Sequence, residues 1–188
     1  TLLPRAARPE ARERIEAGLR ARRLAAAVAA SAGPPSHEAP WPTVPGFRIE
    51  GKLGEGGLGA VYEAQDEKLH RRVALKVLHR CADARVRRRV LEEARHAAAL
   101  DDPAVVTIYS VLDENDPPAI VMELLEGFPL DRFSAHLPVE QKARLLREVA
   151  NALAAAHKRG IIHRDLKPDN VMVGADQRPR LLDFGIAL

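Results

Sequence analysis

The fold is decided by a stretch near the end of the 188-residue chain, His163-Arg164-Asp165-Leu166-Lys167-Pro168-Asp169-Asn170, and by the later Asp183-Phe184-Gly185. Asp165 can accept a proton from a hydroxyl group, and Lys167 can neutralise charge on a phosphoryl group in transfer. Asn170 and Asp183 carry the hard oxygen ligands that Mg²⁺ prefers. A polar surface loop beside an unrelated Asp-Phe-Gly turn is the alternative, but the order of the pieces favours phosphoryl-transfer chemistry.

Upstream lies a glycine-rich segment, Gly54-Glu55-Gly56-Gly57-Leu58-Gly59. Glycines let the backbone N–H groups come close to phosphates, because no side chain stands in the way. The following residues, 60–64, alternate in polarity as a strand does, and a second strand-like run begins at Val73. The segment is therefore predicted to close a hairpin and not to open a helix, as it would in a dinucleotide-binding fold. An ordinary glycine hairpin without a ligand is the alternative.

Lys76 lies in an apolar strand-like run, residues 73–78. A buried cation needs an anionic partner, and ATP phosphates or a carboxylate would serve, whereas a lysine reaching the surface would need neither. In the next predicted helix, Glu93 shares the apolar face and Glu92 shares a face with arginines, so Glu93 is the predicted partner of Lys76. The basic run Arg85–Arg89 is predicted to be a solvated helix face, with a docking patch as the alternative.

Periodicity predicts strands on both sides of that helix and a long helix before the decisive stretch. The predicted helices span residues 83–100 and 139–159, and the remaining predicted strands span residues 47–53, 105–112, 119–124, 171–173 and 180–182.

Together these motifs resemble the eukaryotic-type (Hanks-type) serine/threonine protein kinases, particularly the bacterial members, over Phe47–Leu188. The resemblance implies an α+β, two-lobed protein-kinase-like fold: a five-stranded antiparallel sheet with one helix, then an incomplete helical lobe. It implies an ATP-dependent serine/threonine protein kinase that transfers the γ-phosphoryl group to Ser or Thr hydroxyls of proteins, with Mg²⁺ or Mn²⁺, and autophosphorylation as a further reaction. A kinase-like module that binds nucleotide or partners without catalysis is the alternative.

The resemblance also implies roles for individual residues. The catalytic residues would be Asp165, Lys167, Lys76 and Glu93, and the metal ligands Asn170 and Asp183. The residues implied to bind ATP are Leu53, Gly54, Glu55, Gly56, Gly57, Leu58, Gly59, Val61, Ala74, Lys76, Met122, Glu123, Leu125 and Met172. Within that set, Met122 would be the gatekeeper, and the backbone of Glu123 and Leu125 would meet the adenine edge.

Composition marks an Arg/Ala-rich helical arm at 1–32 and a Pro-rich linker at 33–46, and the resemblance implies an N-lobe at 47–122 and a hinge with a partial C-lobe at 123–188. Residues 1–30 hold seven Arg and three Glu but no aromatic residue, so nucleic acid is not an expected partner. The single cysteine fits a reducing cytoplasm, and no apolar run reaches membrane-spanning length. We expect a chain that stops before the peptide-substrate platform and is by itself a poor kinase, with any membrane anchor lying in a segment beyond it.

Overall fold

The computed structural model describes residues 41–79 and 83–183. The Arg/Ala-rich arm, most of the Pro-rich linker, and the Phe and Gly of the Asp183 motif lie outside the described residues. The fold below is that of the two described ranges.

The first half of the described chain is a five-stranded antiparallel sheet with one helix. Its elements are β1 (Phe47–Gly56), β2 (Gly59–Asp66), β3 (Arg71–Leu78), α1 (Ala84–Ala98), β4 (Ile108–Leu112) and β5 (Ala119–Glu123), with the strand order β1-β2-β3-β5-β4. The second half is mainly helical and holds a three-stranded sheet, β6-β7-β8. Its elements are β6 (Gly127–Pro129), α2 (Leu130–Ser134), α3 (Val139–Lys158), a 3₁₀ turn (Pro168–Asn170), β7 (Val171–Gly174) and β8 (Pro179–Leu181). The predicted fold class is confirmed.

Strand β3 is covered on both faces, and this places Lys76. Val73, Leu75 and Val77 belong to the outer core cluster, whereas Ala74 and Leu78 belong to the cluster that includes the buried side of α1. Because side chains alternate along a strand, Lys76 shares the face of Ala74 and Leu78. The lysine is therefore directed to the side of the sheet where α1 packs.

Helix α1 begins with Asp83 as its cap, whose carboxylate accepts a hydrogen bond from the Arg85 backbone N–H at 2.7 Å. It buries Val90, Leu91 and Ala94 against the sheet, whereas its buried Ala97 packs with residues of α3, β7 and β8. Helix α3 buries a stripe of its own, Leu145, Val149, Ala152 and Ala156. Val171 of β7 and Leu181 of β8 pack with Val149, Ala152 and Ala156 of that stripe in a third cluster.

The structure differs from the predicted boundaries at three places. Val44 is only 2% exposed and packs in the outer core, so the packed domain begins inside the range predicted as linker. The strand predicted over 105–112 begins at Ile108, because the Val106 amide donates instead to the Leu181 carbonyl at 3.0 Å. The short β6 and α2 were not predicted, since three to five residues are too few to show a period. Among the described residues, none of the helices could cross a membrane.

Candidate active site

Two of the predicted charged residues meet directly in the cleft. The Lys76 ammonium lies 2.8 Å from Asp183 Oδ1, and Lys76 is 7% exposed. A buried ammonium group is stable only beside an anion, which Asp183 supplies. The contact joins the apolar strand β3 to the segment that follows β8.

The predicted Lys76–Glu93 pair is wrong in this structure. Glu93 does lie toward the protein interior, with its side chain 17% exposed, and Glu92 is exposed, as the face argument predicts. However, Glu93 Oε1 accepts hydrogen bonds from Arg164 at 2.7 Å and from Arg89 at 3.3 Å. The helix period orients Glu93 inward but does not choose among the cations there, and Lys76 is already paired with Asp183.

The loop at residues 163–170, the predicted catalytic loop, holds Asp165 from two sides. Lys167 Nζ donates to Asp165 Oδ2 at 2.9 Å, and the Asn170 amide donates to the same oxygen at 2.9 Å and to the Asp165 backbone carbonyl at 2.7 Å. The structure therefore brings together three of the predicted site residues. The carboxylate is oriented but stays partly exposed, so a substrate hydroxyl group can reach it.

These contacts shift the pKa values of Asp165 and Lys167. The hydrogen bond from Lys167, and then that from Asn170, lowers the pKa of Asp165, and the same contact raises the pKa of Lys167. Burial lowers the pKa of His163, which is 2% exposed. His163 Nε2 lies 2.8 Å from the Leu182 carbonyl, so this ring ties the catalytic loop to the residue before Asp183.

Two site residues have backbone angles that side chains rarely adopt. Arg164 has φ of 60° and Asp183 has φ of 54°. A non-glycine residue in this region costs on the order of 1 kcal/mol, and such residues concentrate at functional sites. Neighbouring bonds hold the backbone there: the Asp165 amide donates to His163 and the Leu182 amide donates to Asn170, both at 2.8 Å.

The donor set fits Mg²⁺ bound together with phosphates. Because the Asn170 nitrogen donates to Asp165, its amide oxygen is left to face a cation, and Asp183 keeps a second carboxylate oxygen beside the one that contacts Lys76. Within the described ranges there is no cluster of three His, Cys, Asp or Glu residues suited to a metal. One carboxylate, one amide oxygen, substrate phosphates and water are the ligand pattern typical of Mg²⁺, which rarely binds in an all-protein cage.

Part of the predicted adenine pocket comes together in one apolar cluster. Ala74 and Met122 are buried there, directly opposite each other on β3 and β5, and Val61 and Leu125 pack against the same cluster. Two other predicted members lie elsewhere: Leu53 is 40% exposed on β1 and Met172 is half-buried on β7. Among the described residues, the Leu125 amide has no backbone partner, so it is available to an adenine acceptor.

The glycines of the β1–β2 hairpin are needed for two different physical reasons. A Cβ added to Gly54, Gly56 or Gly57 would meet open space, so these positions leave the loop backbone accessible. A Cβ on Gly59 would lie 2.2 Å from the Val77 carbonyl oxygen. Gly59 is therefore required by the packing of β2 on β3, whatever ligand the loop binds. The other two members of the segment, Glu55 and Leu58, are exposed and half-buried, and Lys52 lowers the pKa of Glu55 through a 2.5 Å contact.

Sequence reasoning missed a charge cluster beside the hinge. Arg72 Nη1 donates to Glu126 at 2.8 Å, and Arg72 also bonds to Glu63. The cluster connects β2 and β3 with the segment that leads into β6. Charge pattern alone could not identify it, because Arg72 and Glu126 lie 54 residues apart. The hinge segment at 123–126 thus has an ionic contact with the sheet on its outer side.

The comparisons with known proteins agree on one family. The protein kinase domain family matches residues 47–188. The chain is 44% identical over 148 residues to serine/threonine-protein kinase pkn2 of Myxococcus xanthus, and 38% identical over 153 residues to serine/threonine-protein kinase PrkC of Bacillus subtilis. The crystal structure of the Mycobacterium tuberculosis PknI kinase domain superposes with a TM-score of 0.68 at 34% identity, covering 80% of this chain and 64% of that one.

The chain is much shorter than these curated relatives. The matched region is 75% of this chain but 18% of pkn2, and 76% of this chain but 24% of PrkC. The similarity is therefore confined to one part of each relative, and most of each relative lies outside the matched region.

Proposed function

Since this chain belongs to the protein kinase family, we propose that the protein is an ATP-dependent serine/threonine kinase that phosphorylates Ser and Thr hydroxyls of proteins, itself included. The observation that carries the proposal is the oriented Asp165 carboxylate, bonded to Lys167 and Asn170 at 2.9 Å each. Phosphoryl transfer requires a group that accepts the hydroxyl proton beside a cation that neutralises the transferred group, and this loop supplies both.

In the proposed reaction Asp165 receives the proton of the substrate hydroxyl group. The hydroxyl oxygen forms a bond to the γ-phosphorus while the bond from that phosphorus to the bridging oxygen of ADP breaks. Lys167, 2.9 Å from Asp165, neutralises negative charge on the phosphoryl group as it passes. The contacts with Lys167 and Asn170, which lower the pKa of Asp165, keep its carboxylate ionised at neutral pH, which is the form that can accept a proton.

The proposed ATP site uses residues from both halves of the domain. Lys76 contacts phosphate oxygens, and the open backbone of the 54–57 segment covers them. Asn170 and Asp183 hold Mg²⁺, which neutralises phosphate charge when it is bound. Ala74 and Met122 pack against adenine, with Val61, Leu125, Leu53 and Met172 as the other apolar contacts and the Glu123 and Leu125 backbone at the adenine edge.

The same proposal includes the domain boundaries, the cellular location and the kind of partner. We assign an N-lobe to 47–122, preceded by the packed Val44, and a hinge and C-lobe to 123–188, after an Arg-rich arm and a Pro-rich linker. The use of ATP and the single cysteine, which fits a reducing environment, support a cytoplasmic location. The basic arm without aromatic residues argues against a nucleic-acid partner.

Calorimetric titration with ATP, with and without Mg²⁺, tests the site directly. We expect Lys76→Met and Asp183→Asn to weaken Mg·ATP binding by about tenfold or more, since each removes a charge-assisted contact. Lys68→Met, on the exposed β2–β3 turn, is the matched control and should bind as the parent does. Unchanged binding in both site variants would contradict the assignment.

Transfer is tested separately, by radiolabelled phosphate incorporation into a basic test protein. A protein that binds Mg·ATP normally but transfers no phosphate, with Asp165→Asn equal to the parent, would support the alternative of a kinase-like nucleotide-binding module.

A further inference from the structure

Arg72 connects the five-stranded sheet to the hinge beyond the point where backbone pairing ends. Val73 and Glu123 are the last opposed residues of β3 and β5, and the segment 124–126 then leads from β5 to β6. One residue before Val73, Arg72 continues the connection with its side chain, since its Nη1 donates to Glu126 Oε1 at 2.8 Å. The end of segment 124–126 is therefore bonded to the sheet of the first half.

The residue after Glu126 is held just as closely by the second half. Gly127 begins β6 and lies opposite Gly174 of β7. A Cβ added to Gly127 would lie 2.3 Å from the Val173 carbonyl oxygen, so the backbone there runs directly against β7. The bond from Arg72 to Glu126 thus joins a packed strand of one half to a packed strand of the other, across the segment that connects them.

The guanidinium group of Arg72 is oriented by a second carboxylate. Its Nε donates to Glu63 Oε1 at 2.8 Å, and its Nη2 donates to the same oxygen. Because the group is planar and two of its nitrogens are fixed on Glu63, the direction of the third nitrogen is set. The side chains of Arg72 and Glu126 are each 39% exposed, and exposed pairs add little to stability, but a network of this kind fixes geometry.

The charge cluster borders the predicted adenine pocket. Because side chains alternate along a strand, Arg72 shares the face of Ala74, which the function proposed above puts against adenine. Glu63 lies directly opposite Ala74 on β2, so its side chain is on that face too. The pocket therefore has an apolar wall at Ala74 and an ionic contact at the side where the hinge begins.

We propose that Arg72 is a positioning residue for the adenine group of ATP. Through Glu126 it holds the segment 124–126 so that the Glu123 carbonyl and the Leu125 amide face the adenine edge. Leu125 directly precedes Glu126, so a displacement of one backbone moves the other. This inference rests on the function proposed above, because that function places adenine at this segment.

Calorimetric titration of the whole chain with adenosine and with Mg·ATP tests the proposal. Adenosine is neutral and has no phosphate, so its affinity is insensitive to a general attraction between charges. We expect Arg72→Gln and Glu126→Gln each to weaken the binding of both ligands by about three- to fivefold, because loss of either partner releases the segment. Lys76→Met should show a different pattern, with weaker binding of Mg·ATP and unchanged binding of adenosine.

The second carboxylate of the cluster offers the matched control. Glu63→Gln makes the same change in charge as Glu126→Gln, but it keeps the bond from Arg72 to Glu126. Its affinity for adenosine should therefore stay within about twofold of the parent. Equal loss of binding in Glu63→Gln and Glu126→Gln would overturn the proposal, because the effect would then not depend on the bond to the hinge.

A double variant tests whether Arg72 acts through Glu126. Arg72→Gln/Glu126→Gln should bind adenosine no more weakly than either single variant, because both substitutions break the same bond. In about 1 M salt the difference between the parent and Arg72→Gln should shrink, since an exposed ion pair is screened. Losses that add in the double variant, or a loss in Arg72→Gln alone, would indicate direct contact with the ligand and overturn the positioning role.

Two further results would also contradict the proposal. Weaker binding of Mg·ATP with unchanged binding of adenosine in Arg72→Gln would show that the arginine merely attracts phosphates. A lower urea midpoint with unchanged binding of both ligands would show that the cluster only stabilises the fold.

The positioning role and the proposed function fail in different ways. If Lys76→Met loses affinity for Mg·ATP while Arg72→Gln binds adenosine as the parent does, only the positioning role is wrong. If the parent chain binds neither ligand, both are wrong.

Discussion

The catalytic loop and helix α1 hold their carboxylates in different ways. Asp165 is bonded to Lys167 and Asn170, which lie two and five residues away in the chain. Glu93 is bonded to Arg164, which lies 71 residues away. The first arrangement is a property of one short loop, whereas the second depends on where a whole helix rests. Contacts of the first kind should survive changes elsewhere in the molecule, and contacts of the second kind can be exchanged for others.

The largest expected effect lies within the local network. Asp165→Asn keeps the shape of the side chain but removes the proton acceptor, so phosphate transfer by the protein should fall by about 10²- to 10⁴-fold. Steady-state phosphorylation assays measure it, with Asp169→Asn as the matched control because Asp169 is exposed in the same loop. Equal rates for the two variants would remove Asp165 from the catalytic role.

The β1–β2 hairpin sharpens the comparison, because one of its glycines is constrained across the sheet and another is not. Gly59→Ala would press a methyl group onto the Val77 carbonyl of β3, and overpacking of this kind costs about 1–3 kcal/mol of unfolding free energy. Gly57→Ala meets open space and should change stability little. Urea denaturation of both variants compares them, and equal stability would show that β2 and β3 can separate at Gly59 without cost.

The exchangeable character of the Glu93 contact can be measured with double-mutant cycles. Glu93→Gln and Arg164→Gln should show a coupling free energy of about 0.5–1 kcal/mol in the unliganded protein, because the pair is partly exposed. Glu93→Gln and Lys76→Met should show almost none, since Lys76 contacts Asp183.

Both cycles can be repeated with Mg·ATP present. This tests whether Glu93 changes its partner when phosphates compete for Lys76. If, without nucleotide, Glu93 were coupled more strongly to Lys76 than to Arg164, the Glu93–Arg164 and Lys76–Asp183 ion pairs would be contradicted.

The smallest effect concerns His163, which connects the two motifs of the site. Burial lowers its pKa although Asp165 and Asp183 act in the opposite direction, so the folded protein favours the neutral ring. As the pH falls below about 6.5, the unfolded chain binds the proton first and stability is lost until the lower folded pKa is passed. Thermal unfolding between about pH 7.5 and pH 5.5 should show this loss, and His163→Gln should reduce its slope.

Exposed His136 offers the control for that measurement. His136→Gln should leave the pH dependence as it is in the parent protein, and a flattened slope in this variant would assign the effect to another cause.

Most of the fold could be predicted, because its elements carry periodic patterns. The alternation of β2, the apolar run of β3 and the apolar stripes of α1 and α3 identify the elements to within a few residues. The burial of Val44 could not be predicted, because an isolated valine among prolines has no period and its burial depends on the distant Tyr62 and Ala64. The start of β4 at Ile108 depends likewise on hydrogen bonds to β8.

The predicted site likewise has a part that the sequence could predict and a part that it could not. The sequence by itself identified the candidate site residues and brought Asp165, Lys167 and Asn170 together, because a short loop leaves few ways to arrange them. It also determined that Glu93 and not Glu92 turns inward, because the helix period allows only that. Only the tertiary structure decided that Glu93 meets Arg164 and that Lys76 meets Asp183. Partners across elements depend on the packing of whole helices and strands, and no local pattern encodes those distances.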